Sequence, residues 1–306
     1  MLAYLAPGQG SQTPGLLAPW IEDAESKKLV LAWSEAIDLD LFTLGTSADG
    51  DEIKDTANAQ PLIVCAGLLG ARALRGSGEF KYVAGHSVGE ITAAALAGVI
   101  TEVDAMKLVR LRGIEMAKAA GAVASGMAAV LGGERSVVLE AIAQLGLVAA
   151  NDNGAGQIVA AGDLEALSQL APEGARVRAL AVAGAFHTHY MESAVAPLRI
   201  LADSLEVTNP TIGVISNRDG DVITNGREIL DRIVFQISHP VRWDLCMSTL
   251  KSLEVSGVIE APPAGTLVGL LKRAEPKIES FALKSPSDLI LAKEFAARHQ
   301  FVEGAE

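Results

Sequence analysis

The sequence predicts an α/β fold with a parallel-sheet core, on the basis of three observations. Short apolar strands alternate with amphipathic helices along most of the chain, which is typical of sheets covered by helices. Glycine and alanine are abundant and aromatic residues make up only 4%, a composition that suits close helix–sheet packing. Half of the 306 residues are apolar. This length and composition favour one core domain with a smaller insert.

The first part of the chain establishes the alternation. The predicted elements are a strand at Leu2–Ala6, a helix at Thr56–Leu74, a strand at Phe80–Ala84, a helix at Val88–Val99, and a helix from the N-cap residue Thr101 to about Ala120. The same alternation resumes near the end of the chain. There we predict a helix from Thr188 to about Glu206, a strand at Thr211–Ile215, helices at Gly226–Gln236 and Asp244–Leu253, a strand at Val258–Glu260, a helix at Thr266–Arg273, a strand at Ser280–Leu283 and a helix at Pro286–Arg298.

The middle of the chain has a different order of predicted strands and helices. It predicts a strand at Gly126–Leu131, a helix at Glu134–Leu145, strands at Leu147–Ala150 and Gln157–Ala161, a helix at Asp163–Leu170 and a strand at Ala175–Ala181. This β-α-β-β-α-β order is ferredoxin-like. We therefore predict a small subdomain at 124–184, inserted into a large domain formed by 1–123 and 185–306.

The charge excludes one class of partner. The formal net charge is −12 and the chain contains no run of lysine or arginine. A nucleic-acid-binding protein normally presents a basic face, so we expect no nucleic-acid partner.

Three features predict a cytoplasmic protein. Cys65 and Cys246 lie in separate apolar helical stretches and form neither a disulfide framework nor a metal-binding pattern. The N-terminal segment has no basic region and ends at Pro7, so we interpret it as a first strand rather than a signal peptide. The longest apolar run, Leu62 to Ala71, is too short to span a bilayer.

The strongest chemical signal is the segment Gly85-His86-Ser87-Val88-Gly89. A predicted strand enters it and a predicted helix leaves it, which is the context that a nucleophile elbow requires and is typical of an α/β-hydrolase-like core. Ser87 would stand at a helix N-terminus, where the N–H of Val88 could stabilise a developing oxyanion. Glu90, in the first turn of that helix, is interpreted as complementing the helix dipole.

A serine nucleophile needs a base, and the chain has five histidines. His187 and His189 follow the predicted insert, where the chain re-enters the large domain and would face the cleft between the two lobes. Spacing favours His187 but leaves His189 open. The sequence contains no obvious acidic third member, so we predict a Ser–His dyad.

Two further segments contain candidate binding residues. The glycines of Gly8-Gln9-Gly10 would let the backbone approach a ligand, but the segment lacks the ending of a phosphate-binding loop. Arg110 and Arg112 cannot share a helix face, so one of the two could face the cleft, where a buried guanidinium would bind a carboxylate.

Together these segments resemble the malonyl-CoA:acyl carrier protein transacylases. The resemblance rests on five motifs in family order and covers essentially the whole chain. They are Gly8-Gln9-Gly10-Ser11-Gln12, Gly85-His86-Ser87-Val88-Gly89-Glu90, Leu111-Arg112-Gly113, Gly184-Ala185-Phe186-His187-Thr188 and His239-Pro240-Val241-Arg242-Trp243.

The resemblance implies a role for each matching residue. Ser87 would be acylated and His187, rather than His189, would be its base. The N–H groups of Gln9 and Val88 would form the oxyanion hole, and Arg112 would bind the free carboxylate of malonate. Gln236 would orient the histidine through its backbone carbonyl, and Phe186 would select malonyl over methylmalonyl groups.

The implied reaction passes the malonyl group from malonyl-CoA through Ser87 to the phosphopantetheine thiol of an acyl carrier protein, for fatty-acid or polyketide synthesis. The resemblance implies that the reaction needs neither a metal nor a further cofactor. It also implies that the protein is a monomer. Two alternatives stay open, a serine hydrolase or thioesterase on the same elbow and a non-catalytic module that binds carrier proteins. Two departures from the family pattern, Ala155 where proline is common and Ala264 where glycine is usual, leave local loop geometry open.

Overall fold

A computed structural model describes residues 1–300 and contains two β-sheets. The strands are β1 (Leu2–Ala6), β2 (Phe80–Gly85), β3 (Ser125–Gly132), β4 (Val148–Asp152), β5 (Gln157–Asp163), β6 (Ala175–Ala179), β7 (Gly213–Ile215), β8 (Val222–Ile223), β9 (Val241–Arg242), β10 (Gly257–Glu260) and β11 (Glu279–Ala282). The helices are α1 (Ala24–Ile37), α2 (Leu41–Thr46), α3 (Thr56–Ala73), α4 (Gly89–Leu96), α5 (Glu102–Ala122), α6 (Arg135–Gln144), α7 (Leu164–Gln169), α8 (Val195–Ser204), α9 (Gly226–Phe235), α10 (Trp243–Ser252), α11 (Thr266–Ala274) and α12 (Leu289–Arg298).

The larger sheet has the strand order β11-β10-β1-β2-β7-β8. Its pairs are parallel except for β7 with β8. Strand β1 is central and fully buried, as expected for a parallel strand covered on both faces. The carboxyl ends of β1 and β2 are adjacent, because Ala6 pairs with Gly85. The loops that follow these two strands therefore meet at one edge of the sheet, where ligands bind in open α/β folds.

The smaller sheet has the order β6-β3-β5-β4-β9. Its first four strands are antiparallel and follow the ferredoxin-like arrangement. The predicted α/β fold with a ferredoxin-like insert is thus confirmed. The fifth strand, β9, comes from the other part of the chain and pairs in parallel with β4. The domain boundaries given above remain a prediction, and the end of the large domain, residues 301–306, lies outside the described part.

The long helices α3 and α5 pack against each other beside the larger sheet. Most of α3 is buried, with Pro61 near its N-terminal end, and α5 is capped by Thr101, whose side chain accepts a hydrogen bond from Asp104 N. This packing fixes the middle of α5 next to the loops that follow β1 and β2. Within residues 1–300 we find no helix that combines the length and apolar character needed to cross a bilayer.

The structure differs from the sequence-based prediction in two ways. The helix predicted from Thr188 to Glu206 is divided into a 3₁₀ helix at His189–Ala194 followed by α8. The structure also contains α1, α2, β8 and β9, which we did not predict.

Candidate active site

Ser87 lies in a sharp turn between β2 and α4, with a positive φ of 53°. The flanking glycines allow this turn because neighbouring backbone lies close to both. A Cβ on Gly85 would come within 1.9 Å of the carbonyl carbon of Gly89, and a Cβ on Gly89 would come within 2.2 Å of the oxygen of Ala6. The local sequence therefore produces the predicted strand–turn–helix, with the serine held in a strained conformation.

The structure brings His187 to Ser87. The Nε2 atom of His187 is 2.7 Å from Ser87 Oγ, and its Nδ1 atom is 2.7 Å from the main-chain oxygen of Gln236. Because a carbonyl oxygen only accepts hydrogen bonds, Nδ1 must carry the proton, which leaves Nε2 free to accept the serine proton. His189, the alternative from spacing, is exposed and packs against the ring of Tyr190 at a tilted angle.

The environment keeps His187 neutral. The pKa of His187 is lowered to about 3. Burial is the main cause, and the nearby charge of Arg112 contributes as well. Protonation of His187 therefore does not limit its function as a base at neutral pH. The other histidine of the elbow, His86, instead bonds to Asn153 across the gap between the two sheets, with 2.9 Å between Nε2 and Oδ1.

Arg112 is the cleft-facing arginine of α5. Its side chain is 1% exposed and donates to the Oε1 atoms of Gln60 (2.7 Å) and Gln236 (2.9 Å) and to Ser87 Oγ (3.3 Å). These partners are all neutral, and its Nε atom has no hydrogen-bond partner among the described residues. Burial lowers the pKa of Arg112 to about 10, partly offset by Glu90, so the guanidinium stays charged at neutral pH. The site thus contains a buried cation, next to the nucleophile, that can bind an anion.

Two main-chain N–H groups flank the serine. Val88 precedes the first turn of α4, and Gln9 lies in the loop after β1 that lines the same cavity. Among residues 1–300, neither N–H donates a backbone hydrogen bond. The side chain of Gln9 points to Thr56 Oγ1, at 3.3 Å. Both N–H groups are therefore available to an oxyanion.

The cavity over Ser87 lies between the two sheets and has a volume of about 280 Å³. The large-sheet side contributes Gln9, Ser87, Arg112 and His187, and the small sheet contributes apolar side chains such as Met127 and Val159. Phe186 also lines it, and is almost fully buried. A charged floor under mostly apolar walls is typical of a site that binds a small substrate with one charged end.

A buried polar network beneath the elbow was missed by the sequence analysis. Asn217, which follows β7, accepts a hydrogen bond from Ser87 N (2.8 Å) and donates to the oxygen of Gly85 (2.7 Å). Glu90 is 3% exposed and accepts from Asn217 N (2.6 Å) and from Gln236 Nε2 (2.5 Å). The interpretation of Glu90 as a residue that complements the helix dipole was therefore incomplete, because its carboxylate is bound inside the core.

We expect Asn217→Ala to lower the free energy of unfolding by about 2–4 kcal/mol, because it leaves the Ser87 N–H and the Gly85 carbonyl buried and unpaired. Denaturant-induced unfolding measures the change. Asn209→Ala is the matched control, since within residues 1–300 the side chain of exposed Asn209 accepts a single hydrogen bond, from Gly226 N. Equal losses in the two variants would show that Asn217 does not hold the elbow.

The two departures from the family pattern have different consequences. Ala155 has a φ of 47°, which proline cannot adopt, so this turn must differ from one that contains proline. Ala264 does not have a positive φ and therefore introduces no strain. The loop around Ala264 is held by Glu260, which accepts hydrogen bonds from the N–H groups of Gly265, Leu267 and Val268.

Comparisons with known proteins agree on one family. A family model described as an acyl transferase domain matches residues 3–284. The malonyl CoA-acyl carrier protein transacylase of Mycobacterium tuberculosis is 51% identical over 296 residues, which cover 94% of this chain and 98% of the relative. A crystal structure of MCAT from that organism has a TM-score of 0.92 and 50% identity, over 97% of this chain and 99% of the other. A malonyl-transacylase solved in complex with a type II PKS acyl-carrier protein has a TM-score of 0.89 and 28% identity, over 96% of this chain and 99% of the other.

Proposed function

The chain belongs to the acyl transferase domain family, and we propose that it transfers a malonyl group from malonyl-CoA to the phosphopantetheine thiol of an acyl carrier protein. The names of its relatives support this activity. The observation that carries the proposal for this chain is the position of Arg112. Its buried guanidinium donates to Ser87 Oγ at 3.3 Å and has no direct carboxylate partner among residues 1–300, so an acyl group with a free carboxylate fits beside the nucleophile.

In the first half-reaction, Ser87 is acylated. His187 Nε2 takes the proton of Ser87 Oγ while the oxygen attacks the thioester carbonyl of malonyl-CoA. The negative charge moves to the carbonyl oxygen, where the N–H groups of Gln9 and Val88 stabilise it. The carbon–sulfur bond then breaks, and His187 returns the proton to the leaving thiolate of coenzyme A.

In the second half-reaction, the acyl group leaves the serine. The phosphopantetheine thiol of the carrier protein gives its proton to His187 and attacks the malonyl-serine ester. The new thioester forms as the serine oxygen departs and takes the proton back. Arg112 holds the malonyl carboxylate through both steps, and Phe186 limits the space beside the α-carbon. The reaction draws on no metal and no cofactor besides the two thiol carriers.

Cellular context is part of the same proposal. We place the enzyme in the cytoplasm as a monomer that serves fatty-acid or polyketide synthesis. Its net charge of −12 means that an acidic carrier protein requires a local basic patch. Exposed Lys272 and Arg273 lie on α11, the helix whose Thr266 and Leu270 line the cavity, and are our proposed contributors.

The test is a single-turnover experiment on the wild-type protein. We expect malonyl-CoA to give a malonyl adduct by intact-protein mass spectrometry after brief mixing, and the adduct to disappear when phosphopantetheinylated carrier protein is added. Acetyl-CoA should give far less adduct. Rapid loss of the adduct to water without carrier protein would indicate a hydrolase. No adduct and no release of coenzyme A would indicate a carrier-binding module.

A further inference from the structure

Glu90 is a buried carboxylate that the mechanism above does not use. It lies in the first turn of α4, three residues after the nucleophile, and its two oxygens accept from two different donors. Asn217 N donates to Oε1 and Gln236 Nε2 donates to Oε2. A carboxylate that is withdrawn from water in this way is stable only if those donors stay in place.

The amide of Gln236 connects Glu90 to Arg112. Its Nε2 end donates to Glu90 and lies within 3.2 Å of Ser87 O and Asn217 Oδ1, while its Oε1 end accepts from Arg112 Nη2. The two ends of an amide have nearly the same shape, so the hydrogen-bond partners decide which end points where. An acceptor-only carboxylate at position 90 directs the NH₂ end towards itself and so turns the oxygen towards the guanidinium.

The same arrangement balances charge without occupying the anion site. Glu90 and Arg112 interact electrostatically across the Gln236 amide rather than in a direct ion pair. A direct carboxylate partner would compete with the substrate for the guanidinium. Placed one amide away, the negative charge stabilises the buried cation, and among the described residues the guanidinium hydrogen-bonds only to neutral groups.

We propose that Glu90 is a positioning residue for acyl selection, which orients Gln236 and through it aims the Arg112 guanidinium at the free carboxylate of the acyl donor. This inference rests on the proposed function. It predicts that loss of the Glu90 charge reduces use of malonyl-CoA more than use of acetyl-CoA, because acetyl has no carboxylate to place. A purely structural role would slow both donors equally.

Glu90→Gln tests this with the least change in shape. Glutamine has one carbonyl oxygen, so it must point its NH₂ group at one of the two donors that now bind the carboxylate. We expect the malonyl-to-acetyl ratio of acylation rates to fall about 10- to 100-fold. Glu165→Gln is the matched control, since it removes the same charge from an exposed residue in the first turn of α7 and should keep the wild-type ratio.

A second measurement needs no variant and therefore does not depend on folding of the Gln form. Burial raises the pKa of Glu90 to about 7, against the opposing effects of the Asn217 N–H and of the charges of Arg112 on α5 and Arg232 on α9. The Cys246 thiol on α10 also faces this group and stays neutral, because burial raises its pKa. As pH falls through this range, the Glu90 carboxylate gains a proton. Its new O–H group then faces the N–H groups of Asn217 and Gln236, which are also hydrogen-bond donors. The wild-type ratio should therefore fall, and any effect of His187 cancels because both acyl donors use it.

The outcomes separate the two proposals. A lower ratio in Glu90→Gln, together with a wild-type ratio that falls from about pH 8 to about pH 5, is the expected result. Equal slowing of both donors, an unchanged ratio in Glu90→Gln, or a wild-type ratio that is flat over this pH range would overturn the role of Glu90. A wild-type protein that forms no malonyl adduct would instead refute the proposed function, and this inference with it.

Discussion

Ser87→Ala is expected to abolish the malonyl adduct and to slow release of coenzyme A from malonyl-CoA by on the order of 10⁴-fold or more. The hydroxyl is the group that forms the ester, and it is the group within 2.7 Å of the neutral base His187. Alanine leaves Gln9, Val88 and Arg112 in place, so the variant should still bind malonyl-CoA. Intact-protein mass spectrometry and a thiol-release assay measure the two effects.

Ser11→Ala is the control for the serine position. Ser11 also lines the cavity, but its hydroxyl donates to the Gly8 carbonyl (3.0 Å). We expect this variant to retain the adduct. An adduct that persists in Ser87→Ala would assign the nucleophile to another residue. If the adduct also disappeared in Ser11→Ala, that residue would be Ser11.

The sequence located Ser87 because the elbow is a local structure. Its strand, its two glycines and its helix lie within about twenty residues of one another, and the close contacts of Gly85 and Gly89 explain why these positions are glycine. His187, the hydrogen-bond partner of Ser87, lies 100 residues away along the chain. Spacing alone therefore left His189 open, and only the fold shows that His187 is buried beside the serine whereas His189 is exposed.

The supporting network had no local signature. Glu90, Asn217 and Gln236 come from three separate elements, and no pattern within any one element links their side chains. Glu90 resembles any acidic residue in a first helical turn, and its burial depends on Asn217, which is 127 positions away. Roles of this kind arise from tertiary contacts, which periodicity cannot reveal.

Two elements that the sequence analysis did not predict, β9 and α1, were missed for different reasons. Strand β9 has only two residues and becomes a strand only by pairing with β4, so no pattern within Val241–Arg242 could predict it. Helix α1 did carry a signal, because Asp23 caps it and Val30, Trp33 and Ile37 have helical spacing and are buried. That helix could have been predicted from the sequence.

Arg112→Ala is expected to change which acyl group is accepted. Loss of the guanidinium leaves the malonyl carboxylate without its partner in a buried site, at a cost of about 3–5 kcal/mol, or roughly 10²- to 10⁴-fold in rate. Acetyl-CoA carries no carboxylate and gains from removal of an unpaired buried cation, so its adduct should increase. Competition between malonyl-CoA and acetyl-CoA, read by intact-protein mass spectrometry, measures the ratio directly.

Two further variants separate charge and geometry from general damage to α5. Arg112→Lys keeps a positive charge but cannot reproduce the planar fork that bonds Gln60 and Gln236 at once, so its ratio should lie between those of wild type and Arg112→Ala. Arg110→Ala is the matched control on the same helix, because half-buried Arg110 donates to the Ala57 carbonyl (2.9 Å) and does not line the cavity. If Arg110→Ala shifted the ratio as far as Arg112→Ala, selection would depend on the helix as a whole. If neither shifted it, the free carboxylate would have to be bound elsewhere in the cavity and not by Arg112.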